Sequence, residues 1–341
     1  MQVDVEDLQL IADKLSSDFE FYKNKKIFLT GGTGFFGKWL LEAFIYLNEN
    51  HGLNVSLTIL SRSPSSFKEN TPHLFNYYNY TFVQGDVRNF SDIDNNFDLI
   101  IHAATDASAE LNKFNPELMR STIMDGTKRI CEFANKVDCK RILYTSSGAA
   151  YGPQPENLTH MPETFVDNPL FNYSDAYASA KLESENFFKE NASCEVVIAR
   201  CFTFAGPYLP LDGSYAFGNF ICDVLSNRSI EITGNGLALR SYLYAADLVI
   251  WLLRILSIGN NHEVYNVGSS QEISIKELAD KISLSKVKVR VLGDGEHKNH
   301  YIPSVEKAIF DLDLSESFKI EKIIAKTKEF YQSTKIGDGK I

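Results

Sequence analysis

Tyr177 and Lys181 stand four residues apart in the run Tyr177-Ala178-Ser179-Ala180-Lys181. On a helix that spacing puts both on one face and brings an ammonium near a phenol. A tyrosine, whose ordinary pKa is near 10, becomes a usable proton donor and acceptor near neutrality only when a cation stabilises its phenolate. The same spacing occurs on any amphipathic helix, so its meaning depends on the chain before it. There, Gly31-Gly32-Thr33-Gly34-Phe35-Phe36-Gly37 joins an apolar run to a helical one, with glycines at 31, 34 and 37. Gly31 allows a tight turn, Gly34 lets main chain approach a pyrophosphate, and Gly37 permits close helix packing, while the helix N-terminus favours negative charge. The loop, with Thr33, Phe35 and Phe36 inside it, is assigned to a dinucleotide, and downstream of it the Tyr177–Lys181 pair is read as catalytic.

The next residues bear on which dinucleotide. An acidic residue at the end of the second strand would accept hydrogen bonds from a ribose 2′-OH. Ser61 and Arg62 stand there instead, a donor and a positive charge suited to a 2′-phosphate. NADP is the expected cofactor, and NAD the alternative if Arg62 is only a solvated cation or stacks on adenine. Asp86-Val87 is placed at the adenine edge, and Ala103-Ala104, followed by Thr105, beside the pyrophosphate. His102 reads as a packed strand-end residue without chemistry.

These residues need a scaffold. Apolar runs at 26–30, 55–60, 81–84, 99–102, 141–145 and 195–199 read as six strands, with helical segments such as 38–48 between several of them. That alternation predicts an α/β fold, a doubly wound parallel sheet. Residues 1–24 read as a helical appendage, since Val5, Leu8, Ile11, Leu15 and Phe19 recur every three or four positions. Residues 25–205 with about 237–270 are expected to form the dinucleotide-binding domain, 206–236 with 271–334 a smaller lobe, and 335–341 a tail.

Composition removes several classes. With 341 residues, 44% hydrophobic and 23% charged, the chain is neither disordered nor fibrous. The net charge of −10 disfavours a nucleic-acid surface, yet leaves room for a small anion held by helix amides and an arginine. The five cysteines form no C-x-x-C pair and have no companion histidines, so they read as reduced core residues with no metal site. The acidic start lacks the pattern of a signal peptide, and no apolar stretch nears the roughly 20 residues a bilayer needs. A cytoplasmic protein without membrane attachment is expected.

The motifs resemble those of the extended short-chain dehydrogenase/reductases that act on nucleotide-diphospho-sugars, over roughly residues 25–330. The glycine loop, Asp86-Val87, Ile101-His102-Ala103-Ala104, Ser146-Ser147 followed by Tyr151-Gly152, the run from Tyr177 to Lys181, and Arg240-Ser241-Tyr242 leading into Asp247 carry it. The resemblance implies a Rossmann-type fold with a smaller C-terminal substrate-binding lobe, and a homodimer through the helical runs 116–137 and 176–189. It makes Ser147, four residues before Tyr151, the hydroxyl that hydrogen-bonds the reacting sugar oxygen, and gives Lys181 the nicotinamide ribose as well. Arg240 matches the arginine that contacts the nucleotide diphosphate. Asn219 resembles an asparagine beside the sugar pyrophosphate, a helix N-cap being the competing reading. Arg200 is open between a structural role and lining the cofactor cleft.

The departures bear on the reaction. The family's 4,6-dehydratases carry Asp and Glu immediately after the catalytic threonine, and its decarboxylases keep the Glu. Here those positions are Gly148 and Ala149, neither of which transfers a proton. Hydride transfer at a sugar carbon remains. The expected function is NADPH-dependent reduction of the C4 ketone of a nucleotide-diphospho-4-keto-6-deoxy-sugar, in the making of surface-polysaccharide sugars. A C4 epimerase with tightly held NAD is the alternative enzyme. A non-catalytic NADP-binding regulator is the alternative from another class, disfavoured by the intact set of Ser147, Tyr177 and Lys181.

Overall fold

The computed structural model describes residues 3–105, 109–211, 213, 215–296 and 298–338. All six expected strands form: β1 Lys26–Thr30, β2 Ser56–Ser61, β3 Tyr80–Gln84, β4 Leu99–His102, β5 Arg141–Ser147 and β6 Glu195–Cys201. A seventh, Val264–Val267, pairs with β6; the polar Asn266 interrupts its apolar run, so the sequence did not announce it. The sheet runs Val264–Val267, β6, β5, β4, β1, β2, β3, with every neighbouring pair parallel. Burial on both faces explains the nearly continuous apolar runs in β1, β4 and β5.

Strand order reverses between β1 and β4, and in such sheets ligands bind where that reversal opens a crevice at the carboxyl ends. The register pairs Thr30 with His102, so Gly31 and Ala103 leave the sheet side by side. The helix after the glycine loop spans Phe35–His51, starting earlier than the expected 38. Its start follows from close packing at the loop rather than from apolar periodicity: a Cβ on Gly37 would lie 2.3 Å from the main chain of Gly32.

The N-terminal residues do not form the single helix that their periodicity suggests. Helix Val5–Lys14 ends at Leu15, a 3₁₀ turn spans Ser16–Asp18, and one more helical turn covers Phe19–Tyr22. Local polar groups make the break: Ser16 Oγ donates to the Asp13 carbonyl at 2.9 Å, and the buried Asp18 carboxylate accepts from Ser257 and Arg254, each at 2.6 Å. Leu8, Ile11, Leu15 and Tyr22 belong to the apolar cluster that covers one sheet face. Asp7, also buried, accepts from Tyr244 Oη at 2.6 Å and pairs with Lys326 at 2.9 Å.

Beyond β6 most strands shorten to two or three residues. Ile230–Ile232 pairs with Val289–Val291, while Leu239–Arg240 lies between Ile273–Ser274 and His300–Tyr301. The last register sets Tyr301 opposite Arg240. The last helix is Ile320–Asp338, and residues 339–341 of the expected tail lie outside the described residues. Among the described residues no helix is long and apolar enough to cross a membrane.

Candidate active site

The glycine loop is shaped by contacts that only hydrogen allows. Gly31 has φ +74°, and a Cβ there would lie 2.4 Å from the Ala103 carbonyl oxygen. Gly31 and Gly37 are therefore fixed by packing inside the protein. Gly34 differs: a Cβ on it would meet only the Gly31 oxygen, at 3.4 Å, so its open side faces outward. Gly34 also starts the helix Phe35–His51 with no side-chain cap on the first amides, which leaves them free to hold an anion. Such a cradle fits a dinucleotide pyrophosphate. Thr33, Phe35 and Phe36 are half-buried around it, and Phe36 meets Phe204 edge-on at 5.0 Å.

The neighbouring turn is braced by Thr30, whose hydroxyl accepts the Ala104 amide at 3.1 Å and lies 2.8 Å from His102 Nδ1. Burial, with Lys181 nearby, drives the His102 pKa down to about 3. It is a neutral packing residue, as its strand-end position suggests. Ser61 is buried, its hydroxyl accepting the Ser63 amide at 3.2 Å, whereas Arg62 is exposed. Asp86 is bound at both oxygens by the Arg88 guanidinium, at 2.8 Å each, which holds its carboxyl below the ordinary range. Arg62 adds weakly to that lowering, so Arg62, Asp86 and Arg88 share one region at this end of the cradle. The Val87 side chain is buried against Gly126.

Ser147 ends β5, and Tyr177 and Lys181 lie on the helix Ala176–Asn191. That helix starts firmly: Asp175 caps Ala178 at 2.9 Å, and Asn112 accepts the Tyr177 amide at 3.1 Å. Lys181 is almost fully buried, and Nζ donates to Thr105 Oγ1 and the Thr145 carbonyl, both at 2.8 Å. Burial lowers its pKa to about 8, Cys201 and Glu185 opposing. Nζ sits 5.9 Å from the Tyr177 ring centre. Burial pushes the Tyr177 phenol up from its ordinary value, and hydrogen bonding with Ser147 pulls the other way. Burial thus outweighs Lys181 at the phenol, the ammonium lying against Thr105 and Thr145. The raised phenol favours its protonated form.

Behind Ser147 lies a buried polar network. Arg200 forks onto Glu185 at 2.9 and 2.6 Å, Ser146 Oγ also donates to Glu185, and the Arg200 guanidinium covers the Tyr151 ring at 4.2 Å. Tyr151 donates to Asn266 at 2.8 Å. Of the two readings left open for Arg200, its side chain takes the structural one. The strand ends carrying Ser146 and Ser147 are thereby anchored from below.

Arg240 is half-buried; one of its Nη atoms donates to the Leu239 carbonyl at 2.7 Å and the Asn299 carbonyl at 3.1 Å. Asn219 is not a helix N-cap. Tyr215 is the cap of helix Ala216–Leu225, and Asn219, one turn in, donates to the Gly213 carbonyl at 3.0 Å. Three groups near Tyr177 were absent from the sequence reading. Tyr301 Oη lies 3.5 Å from Ser147 Oγ, and Tyr301, Tyr215 and Cys201 all raise the Tyr177 phenol electrostatically. Cys201 could have been found, since it is the register partner of Ser147 across adjacent strands. Tyr301 had no such signal, lying 154 residues from Ser147.

A glycine cradle at the switch point of a doubly wound parallel sheet, with a hydroxyl, a phenol and a buried ammonium beyond it, defines a dinucleotide-dependent enzyme of the short-chain dehydrogenase/reductase class. The NAD-dependent epimerase/dehydratase family matches residues 27–268, and the chain belongs to that family. It is 30% identical over 260 residues to UDP-glucuronic acid decarboxylase 4 of Arabidopsis thaliana, covering 74% of this chain and 56% of that protein. It is 26% identical over 326 residues to the dTDP-D-glucose 4,6-dehydratase of Mus musculus, covering 90% of this chain and 89% of the other. A similar fold occurs in the UDP-glucuronic acid 4-epimerase of Bacillus cereus, solved with UDP-glucuronic acid and NAD. There the TM-score is 0.75 and the identity 20%, over 91% of this chain and 99% of the other.

Proposed function

We propose that the protein reduces the C4 ketone of a nucleotide-diphospho-4-keto-6-deoxy-sugar with NADPH. One observation carries the reading. Where the family's dehydratases need a carboxylate beside the reacting sugar, Gly148 leaves no room: a Cβ there would lie 2.7 Å from both Tyr301 Oη and Phe202 Cζ. The described groups around Ser147 and Tyr177 are hydroxyls, an ammonium and the Cys201 thiol, with the Glu185 carboxylate behind them locked onto Arg200, a set that serves carbonyl reduction and supplies no acid–base pair for elimination. The nicotinamide, when bound, supplies the hydride. Ser147 hydrogen-bonds the carbonyl oxygen and stabilises its developing charge. Tyr177 then gives that oxygen a proton, and its raised pKa suits a donor better than an initial base. Lys181 would hold the nicotinamide ribose, and Arg240 would grip the substrate diphosphate with a planar donor fork.

NADP is favoured by the exposed Arg62 after β2, where no acid stands to receive a 2′-OH. The same three side chains would serve an NAD-dependent C4 epimerase, and the UDP-sugar and NAD named for the Bacillus cereus structure favour that second reading. Releasing the cofactor from freshly purified protein separates the two. Empty protein that oxidises NADPH only with a nucleotide-linked 4-keto-6-deoxy-sugar supports the reductase, whereas tightly retained NAD overturns it. Binding of NADP without turnover of either substrate class would mark a regulator.

A further inference from the structure

Ser147 Oγ has one proton to give and two lone pairs to receive. The Ala149 amide donates to it at 3.1 Å. The Tyr301 hydroxyl stands 3.5 Å away, at the long end of hydrogen-bond range, and the Ala149 amide reaches it as well. The hydroxyl reaches that point because residue 148 has no side chain. The Tyr301 ring packs on Phe202 with centres 4.7 Å apart, against the cluster of Tyr151 and Met161, which restricts its sideways motion. Burial pushes this phenol up to about 12, so it remains a donor throughout the working pH range.

We propose that Tyr301 is a positioning residue: it donates to the second lone pair of Ser147, leaving the Ser147 proton directed at the substrate carbonyl oxygen. As the register partner of Arg240 it sits on the strand beside the proposed diphosphate grip, with 3.5 Å between its hydroxyl and Ser147 to close. Catalytic hydrogen bonds that are long in the free enzyme shorten in this way once substrate is held. The role rests on the reductase reading above.

The test is a cycle of Tyr301→Phe, Ser147→Ala and the double variant in the full chain, following NADPH oxidation with a nucleotide-linked 4-keto-6-deoxy-sugar. Tyr301→Phe keeps the ring and its packing. It should lower kcat about tenfold, the rate equivalent of one well-placed hydrogen bond, with sugar KM, NADPH affinity, melting temperature and pH profile essentially unchanged. In the Ser147→Ala background the same change should cost nothing further. Gly148→Ala, which pushes the hydroxyl away, should reproduce the loss of kcat. An unchanged kcat in Tyr301→Phe overturns the proposal, as does an additive double variant or a kcat loss accompanied by loss of NADPH binding and stability. A wild type inactive on this sugar overturns the reductase reading alone; the same cycle then reads the role of Tyr301 in C4 epimerisation of a UDP-hexose with NAD. Inactivity in both assays overturns both.

Discussion

The cofactor half and the substrate half of the site are built in opposite ways. The cradle is contiguous: residues 31–37 and 103–105 leave two adjacent strands, and the work is done by main chain held in place by missing side chains. The proposed substrate half is assembled from Ser147, Tyr177, Arg240 and Tyr301, which come from four separate elements, and it would work through side-chain hydroxyls and charges. Errors in the first half should therefore destroy the fold locally, whereas errors in the second should leave a folded protein with altered kinetics.

The sharpest break of that contrast is Gly37→Val, which forces a side chain into the main chain of Gly32. Overpacking of this kind should abolish NADP binding and lower the melting temperature, both visible in one thermal scan with and without nucleotide. Tyr177→Phe should do the reverse, preserving melting temperature and nucleotide affinity while lowering kcat about a thousandfold, within the range of lost general acid catalysis. Arg240→Ala should raise the sugar KM about a hundredfold with a smaller change in kcat, as expected when binding common to ground and transition states is lost.

Smaller effects test the boundary between the halves. Lys181 belongs to both, and its pKa is lowered to about 8. Its charge is present below that pH and lost above it. NADP affinity should accordingly hold to about pH 8 and then fall up to tenfold per pH unit, a trend read from dissociation constants across pH. The smallest expected change is Arg62→Ala, which should weaken NADPH binding about five- to tenfold and leave NADH binding unaltered. Equal loss with both nucleotides would place Arg62 outside the cofactor site.

Much of the scaffold was legible because its signals are local. Apolar runs of four to six residues marked β1 to β6, and the glycine spacing marked the cradle, since close main-chain approach leaves few residue types that fit. The four-residue spacing of Tyr177 and Lys181 held because a helix fixes it. Signals failed where polar contacts from afar decide local form. The N-terminal periodicity predicted one helix, but Asp18 turning in toward Arg254 and Ser257 broke it. The strand Val264–Val267 escaped because Asn266 interrupts its apolar run, its amide being satisfied by the distant Tyr151, Met161 and Ser304.

The sequence by itself determined the doubly wound sheet, the glycine loop after its first strand and the absence of carboxylates after Ser147. These follow from side-chain period, glycine geometry and residue identity, which are properties of neighbouring positions. Only the tertiary structure decided that Lys181 is spent on Thr105 and Thr145, that Arg200 is locked onto Glu185, and that Tyr301 stands over Gly148. Those outcomes depend on which distant oxygens and rings burial brings within hydrogen-bond reach, and no spacing along the chain encodes that.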